Sequence, residues 1–312
     1  MANTRALRRR IKSVQNTSQI TKAMQMVAAT KMRRAQNQAL MGRPYTQTLN
    51  NILFNLSSKV TPDTHVLLKE DNVNKTGVLL LSTNKSLCGA LNTNLMRAIL
   101  SFEKEQKDLS FYTVGSKGRD FTVRTKKELI ADFENFEVIA FRQAAQIAKL
   151  LVDSFIKGEI GNCYLAFPRF ISTLRQEPKI EKILPIDPVI LVNKTQLVDP
   201  EVDLNRRTES TKAQGSGRTE LARMTIGSEY LFEPDADRLL DYILVHYVET
   251  KIYQALLETK ASEHSARMIA MQNATDNAKE LVEDLKLTYN QTRQEAITNQ
   301  LLEISSAALA LG

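Results

Sequence analysis

Apolar and polar positions along the chain follow two rhythms. Ile11, Val14, Ser18, Thr21, Gln25, Ala28, Met32, Ala35 and Ala39 recur in steps of three and four, the spacing that winds helices into a left-handed supercoil. This predicts a first helix over residues 3–42, with Asn3 as its cap and Gly42 and Pro44 marking a kink or stop. Leu49, Ile52, Leu53 and Leu56 continue the pattern over 45–57. The line is poor in leucine, so two backbones can approach closely without large apolar knobs. Ile20, Met24 and Val27 mark a second narrow apolar face, which suits a helix with several neighbours.

The other end of the chain is longer and plainer. From Asp235 to Leu311 there is no glycine and no proline, and continuous helix over that length would extend about 115 Å. Pro234 and Asp235 supply a start signal. The first six turns are strongly apolar, with Leu239, Leu240, Ile243, Leu244, Tyr247, Val248, Ile252, Leu256 and Leu257. A second heptad line follows through Ala261, His264, Met268, Met271, Thr275, Ala278, Val282, Leu285, Tyr289, Thr292 and Ala296. Two rods with matching small and polar seams thus stand at the two ends of the chain. Leu301, Ile304, Leu309 and Leu311 form an apolar tip on the longer rod that the shorter one does not reach, so a partner protein is expected there.

Between the rods the period changes. Polar and turn residues, among them Pro62, Asp63, Asn72 and Asn74, separate the first rod from a short β-type run at Val78–Ser82. A loop with Cys88 and Gly89, a helical stretch from Leu91 to Lys107, and a second strand at Phe111–Val114 follow, with Gly115 ending that strand and Gly118 in the turn beyond. Helix is predicted again over Arg142–Lys157 and strand over Cys163–Ile171. This alternation predicts a small parallel or mixed α/β domain. Thr195–Thr225, with Asn205-Arg206-Arg207 and Gln214-Gly215-Ser216-Gly217, reads as a polar loop, and Tyr230–Phe232 as a last short strand. The expected fold is therefore α plus α/β: a long antiparallel coiled coil of the N- and C-terminal helices with an inserted Rossmann-like domain. The units are 1–58 (first rod), 75–195 (α/β domain), 196–228 (polar loop or linker) and 235–311 (second rod).

Charge sharpens this picture. Residues 1–62 hold eleven Lys or Arg and no acid, so the remaining 250 residues carry 31 basic against 35 acidic side chains, and the net +7 belongs to one end. A nucleic-acid arm, a presequence and a shaft beside acidic protein are the readings of such an end. The helix has no aromatic residue before Tyr45 and no zipper leucines, which disfavours nucleic acid. It runs on unbroken, which disfavours a cleaved presequence; docking in an acidic cavity and a solvated basic face stay open. No run approaches eighteen apolar residues and no secretory signal is visible. Two distant cysteines, Cys88 and Cys163, fit a reducing compartment.

Catalytic constellations are missing from the pattern. His65, His246 and His264 are scattered without metal-ligand spacing, and Gly115-Ser116-Lys117-Gly118 is not a phosphate-binding loop of the known orders. Cys88 sits in a glycine-containing loop with no base near it in sequence and reads as a small buried side chain. No cofactor is called for. The classes left are a mechanical shaft or scaffold, an adaptor using the basic rod, and an enzyme built on the α/β domain.

Two long segments carry a family resemblance. Ile11-Lys12-Ser13-Val14-Gln15-Asn16-Thr17 with Ile20 through Met32, and Ala261-Ser262-Glu263-His264-Ser265-Ala266-Arg267-Met268-Ile269-Ala270-Met271 with Ala274-Thr275-Asp276-Asn277-Ala278, closely resemble the terminal helices of the γ subunit of F-type ATP synthases. Tyr289-Asn290, Arg293-Gln294 and Ile297-Thr298 continue the likeness. The resemblance implies a central rotor shaft, its coil inside a ring of alternating α and β subunits and its α/β domain on a membrane-embedded c ring beside the ε subunit. It implies no catalytic site, cofactor, metal or nucleic acid of its own. The place implied is the cytoplasmic face of a bacterial plasma membrane, peripheral and not inserted. Lys22, Met24, Arg293, Gln294, Thr298 and Gln300 are the implied ring contacts, and Tyr230 and Glu233 the implied contacts at the c-ring and ε end. Gln300 and Ala307 depart from the family's usual glutamate and glycine, as does Lys85-Ser86-Leu87-Cys88-Gly89-Ala90 from its usual loop, and no cysteine pair of the plant-type thiol switch is present.

Overall fold

The computed structural model describes residues 2–57, 65–69, 73, 75–106, 108–186 and 236–311. Helix α1 (Ala2–Ser57) opens the chain and α5 (Ala236–Leu311) closes it. Between them come β1 (Thr76–Leu81), α2 (Leu91–Glu105), β2 (Leu109–Val114), α3 (Ser116–Arg124), β3 (Glu128–Phe133), α4 (Phe141–Ile156), β4 (Asn162–Phe170) and β5 (Gln176–Leu184). Helix α1 is one piece. Pro44 lies inside it, so its missing N–H removes one intrahelical bond without stopping the helix. Asn3 falls within the first turn of this helix instead of preceding it.

Both predicted seams face inward. Thr21, Ala28, Met32 and Ala35 of α1 are buried, as are Ala261, His264, Met271, Thr275, Ala278, Val282 and Leu285 of α5. Thr21 and Thr275 meet hydroxyl to hydroxyl at 2.7 Å, and Gln25 reaches Gln272 at 3.4 Å. Each hydroxyl also has a carbonyl of its own helix within reach, Ser18 at 3.0 Å for Thr21 and Met271 at 2.7 Å for Thr275, so either can donate across the seam. Ile20 and Val27, on the second narrow face, stay exposed.

The sheet order is β3-β2-β1-β4-β5, with β1, β2, β3 and β4 parallel and β5 antiparallel to β4. The central strand β1 is buried throughout. Its alternate side chains serve two cores: Val78 and Leu80 meet Leu95 and Ile99 of α2, while Leu79 and Leu81 join α4 and the lower turns of α5. Leu49 and Leu53 of α1 enter that second core beside Leu240, Leu244, Val248 and Ile252. The apolar start of α5 therefore fastens the shaft to the domain.

Three elements differ from the sequence expectation. Strands β3 and β5 were not predicted, and the turn assigned to Gly118 is the helix α3. Edge strands show only half-buried alternation, which β3 displays as exposed and intermediate residues in turn. In α3 the glycine has a packing reason: a Cβ on Gly118 would lie 2.9 Å from Ser82 Oγ. The predicted strand Tyr230–Phe232 and the loop 196–228 lie outside the described residues.

Candidate functional site

Open α/β sheets usually bind ligands at the carboxyl ends of their strands, where the strand order reverses. In this sheet the reversal falls between β1 and β4, and α5 lies across it. Ser262 Oγ donates to the Pro168 carbonyl at 2.9 Å, Ser265 Oγ to Thr173 at 2.7 Å, and Arg267 reaches the Ser86 carbonyl at 3.4 Å. The start of α3 is likewise engaged from within. The Gly118 N–H donates to Ser82 Oγ at 2.7 Å, Ser116 N–H to Asn84 Oδ1 at 3.2 Å, and Lys117 N–H to the Thr83 carbonyl at 3.1 Å. The groups that would cradle a phosphate are bonded to the protein itself. Gly115 enters this turn at φ +94°, and a Cβ there would meet the Ser82 carbonyl oxygen at 2.5 Å.

The thiols are equally occupied by packing. Cys88 accepts from Asn92 Nδ2 at 3.3 Å, and burial raises its pKa. Burial pushes Cys163 up to about 12. Neither is a poised thiolate.

A groove of about 490 Å³ stays open between the shaft and the domain. Helix α1 contributes Met24, Val27 and Lys31; the loop after β1 contributes Lys85; Glu134, Asn135 and Glu137 follow β3; Lys260, Glu263, His264 and Arg267 come from α5. Lys31 pairs with Glu137. Glu263 is buried between Arg267 at 2.9 Å and Lys260 at 3.4 Å. Burial alone would raise the Glu263 carboxyl, but the two cations outweigh it and hold its pKa below the ordinary value. Burial also dominates at His264 and pushes the imidazole down to about 4, against the attraction of Glu263. The wall of the groove is thus ionised on both sides with a neutral histidine between.

The predicted site residues fall in separate places. Met24 lines the groove, whereas Lys22 is exposed and donates to Gln25 Oε1 at 3.2 Å along its own helix. Arg293, Gln294, Thr298 and Gln300 are all exposed near the far end of α5. Gln294 and Thr298 share a shallow polar hollow of about 380 Å³ with Gln291, Glu295 and Asn299. Carrying the Thr21 to Thr275 register back along both helices sets Ala2 opposite about residue 294. Beyond it α5 runs bare, with Leu301, Leu302 and Ile304 each more than 60% exposed. Tyr230 and Glu233 lie outside the described residues. Sequence reasoning passed over Lys31, Lys85 and Arg267; a signal for Arg267 was present, since it falls on the same side of α5 as Glu263 four residues before it.

A long two-helix shaft with an α/β domain at its base, a charged groove at the join and a bare apolar overhang defines a mechanical or scaffolding subunit. The family model described as ATP synthase matches residues 3–311. The chain is 40% identical over 317 aligned positions to the ATP synthase gamma chain of Methylacidiphilum infernorum and 41% identical over 322 to that of Polynucleobacter asymbioticus, with each pair covered in full. The chain belongs to the ATP synthase gamma-chain family and is a subunit of that complex. Its fold also matches chains of the Euglena gracilis mitochondrial ATP synthase. One comes from an OSCP/F1/c-ring structure in rotational state 3, with TM-score 0.67, 23% identity and coverage of 99% of this chain and 95% of that one. The other is from the rotor in rotational state 1, with TM-score 0.62, 22% identity and coverage of 95% and 99%.

Proposed function

We propose that this chain is the rotating central shaft of an ATP synthase and makes or breaks no bond itself. Residues 1–58 and 235–311 form the shaft inside the ring of α and β subunits, and 75–195 form the foot, which stands with ε on the c ring. Ion flow through the c ring turns the foot, and the shaft carries the torque to the catalytic sites on β. Because the shaft is asymmetric, each orientation favours a different conformation at each of three chemically equal sites, which is a differential stabilisation of pre-existing states.

The observation that supports this best is the overhang. A pair of helices ending together would present a blunt tip, whereas here one helix continues alone for about 25 Å, with Ile297, Leu301, Leu302 and Ile304 exposed on it. Arg293, Gln294, Thr298 and Gln300 are assigned to the ring contact on this segment, and Lys22 and Met24 to a lower contact beside the groove. Arg5, Arg8, Arg9, Arg10 and Lys12 are exposed along α1, a basic end that attracts acidic segments of the ring. Tyr230 and Glu233 are assigned to the c-ring and ε end. No described helix is long and apolar enough to cross a membrane; the chain is assigned to the cytoplasmic face of a bacterial plasma membrane, held there by the c ring.

The test is direct observation of rotation. Cys88 and Cys163 are buried, so Lys104→Cys on the exposed side of α2 gives one reactive thiol for a bead. In the assembled catalytic ring, ATP should drive the bead in one direction with three steps per turn. Hydrolysis at the full rate with a stationary bead would exclude the shaft reading.

A further inference from the structure

Besides its seam with α1, helix α5 carries a second line of contacts. Lys251, Ala255, Glu258, Ser262 and Ser265 recur in alternating steps of four and three, which sets them along one face. That face meets the hairpin of β4 and β5. Lys251 pairs with Glu181 of β5 at 3.4 Å, and Lys251, Ala255 and Glu258 share a narrow crevice with Phe167 and Arg169 of β4. Burial favours the neutral acid at Glu181, but Lys251 and Lys179 outweigh it and hold the carboxyl below its ordinary range. Farther along, Ser262 and Ser265 are fully buried. Ser262 Oγ donates to the Pro168 carbonyl of β4, and Ser265 Oγ to the Thr173 carbonyl in the hairpin turn. Gln176 Nε2 in turn donates to Ser265 Oγ at 3.4 Å.

These serines depart from the habit of their helix. A hydroxyl in a helix often bonds the carbonyl four residues back, as Thr259 does with Ala255 at 2.7 Å and Thr275 with Met271 at 2.7 Å. Ser262 and Ser265 reach the main chain of another element instead. The hairpin leaves room for this: Pro168 stands opposite Pro178 in the ladder, and neither has an N–H to give the other. Apolar burial is non-directional, so the leucine-rich start of α5 holds the helix to the domain with little grip on the angle at which it lies. A hydrogen bond weakens steeply as it bends out of line. A polar group buried in a seam likewise fixes register, at some cost in stability.

We propose, on the rotating-shaft reading, that the line from Lys251 to Ser265 is the joint that carries turning force between the domain and the shaft, with Ser262 and Ser265 as its positioning residues. When the domain is turned, the hairpin pushes on α5 through these bonds, and the angle of the shaft follows that of the foot.

The test compares Ser262→Ala/Ser265→Ala with Thr259→Val, which removes a hydroxyl of similar burial whose bond stays within α5. Thermal melts establish that both variants fold. Cys88 and Cys163 are buried, so spin labels at Lys104→Cys on α2 and Glu280→Cys on α5, both exposed positions, read the angle between domain and shaft on the full chain. The distance distribution should be about twice as wide in the serine variant as in the parent, and unchanged in Thr259→Val. In the whole complex in vesicles, the serine variant should hydrolyse ATP at the parental rate but stall its ion pumping at about half the gradient, because a joint without directional bonds slips under load. Thr259→Val should match the parent in both. Equal widths in the two variants overturn the proposal, and so does a widened distribution with undiminished pumping. A bead that stands still on the parent complex sinks the shaft reading itself, whereas a turning bead with equal widths sinks only the joint.

Discussion

His264 illustrates how one seam position couples packing to acidity. It sits where the heptad line calls for an apolar side chain, is 7% exposed, and carries a buried Nδ1 with no hydrogen-bond partner. Burial lowers its pKa from 6.5 to about 4, so between those values the unfolded chain takes up a proton that the folded chain refuses. Folding stability from this residue is therefore complete above about pH 6.5 and is lost as pH falls toward 4. The chain should melt at progressively lower temperature from pH 7 to pH 5, and His264→Gln should flatten that slope; equal slopes for the two proteins would remove His264 as the cause. Glu263, held low by its cations, loses its ion pairs only at lower pH, which keeps the two effects apart. The sequence placed His264 in the seam but could not tell its protonation, because that depends on what α1 and the segment after β3 bring against it.

The two long helices succeed as elements because their register repeats the same undemanding contact many times. At Thr21 and Thr275 the contact is a hydrogen bond between two buried hydroxyls. Thr275→Val removes one hydroxyl of the pair, yet Thr21 can still use the Ser18 carbonyl at 3.0 Å, so the expected loss is about 1 kcal/mol. Changing both to valine replaces a polar pair by an apolar one of the same shape, and should cost less than twice the single change. A melt of the double variant that shows full additivity would mean the two hydroxyls act independently. Legibility followed the same logic of repetition. Both rods could be read because a three-four pattern runs through each for many turns. The strand β1 could be read because burial on both faces makes it continuously apolar. Strands β3 and β5 could not, since an edge strand has one neighbour and half its residues face water; β5 even carries Pro178. Helix α3 was hidden by Gly118, a residue that reads as a turn and is present because the helix packs so closely on Ser82.

For the whole molecule the governing feature is unequal length. Helix α1 has 56 residues and α5 has 76, and both are fastened to the domain at their lower ends, so the difference emerges as an unpaired tip. Deleting Leu301–Gly312 should leave the melting of the isolated chain nearly unchanged, because Leu301, Leu302 and Ile304 cover nothing in it. In the assembled complex the same deletion should reduce coupled ATP synthesis. Normal coupled synthesis after the deletion would show the tip to be dispensable and would move the ring contact down to Lys22 and Met24. Gln300 is exposed at the root of this segment.

Sequence alone determined the two rods, their seams, the basic end and the alternation of strand and helix between them, because each rests on local periodicity or on a count. The resemblance of both terminal segments extended this to a family. Only the tertiary structure decided that α5 lies across the carboxyl ends of the strands, that Ser82, Thr83 and Asn84 use up the N–H groups of α3, and that Lys31, Lys85 and Arg267 converge on one groove. Those facts join residues as far apart as Lys31 and Arg267, 236 positions along the chain. No spacing along one chain records them, since they depend on which face each helix turns toward the sheet once the apolar start of α5 has chosen its place in the core.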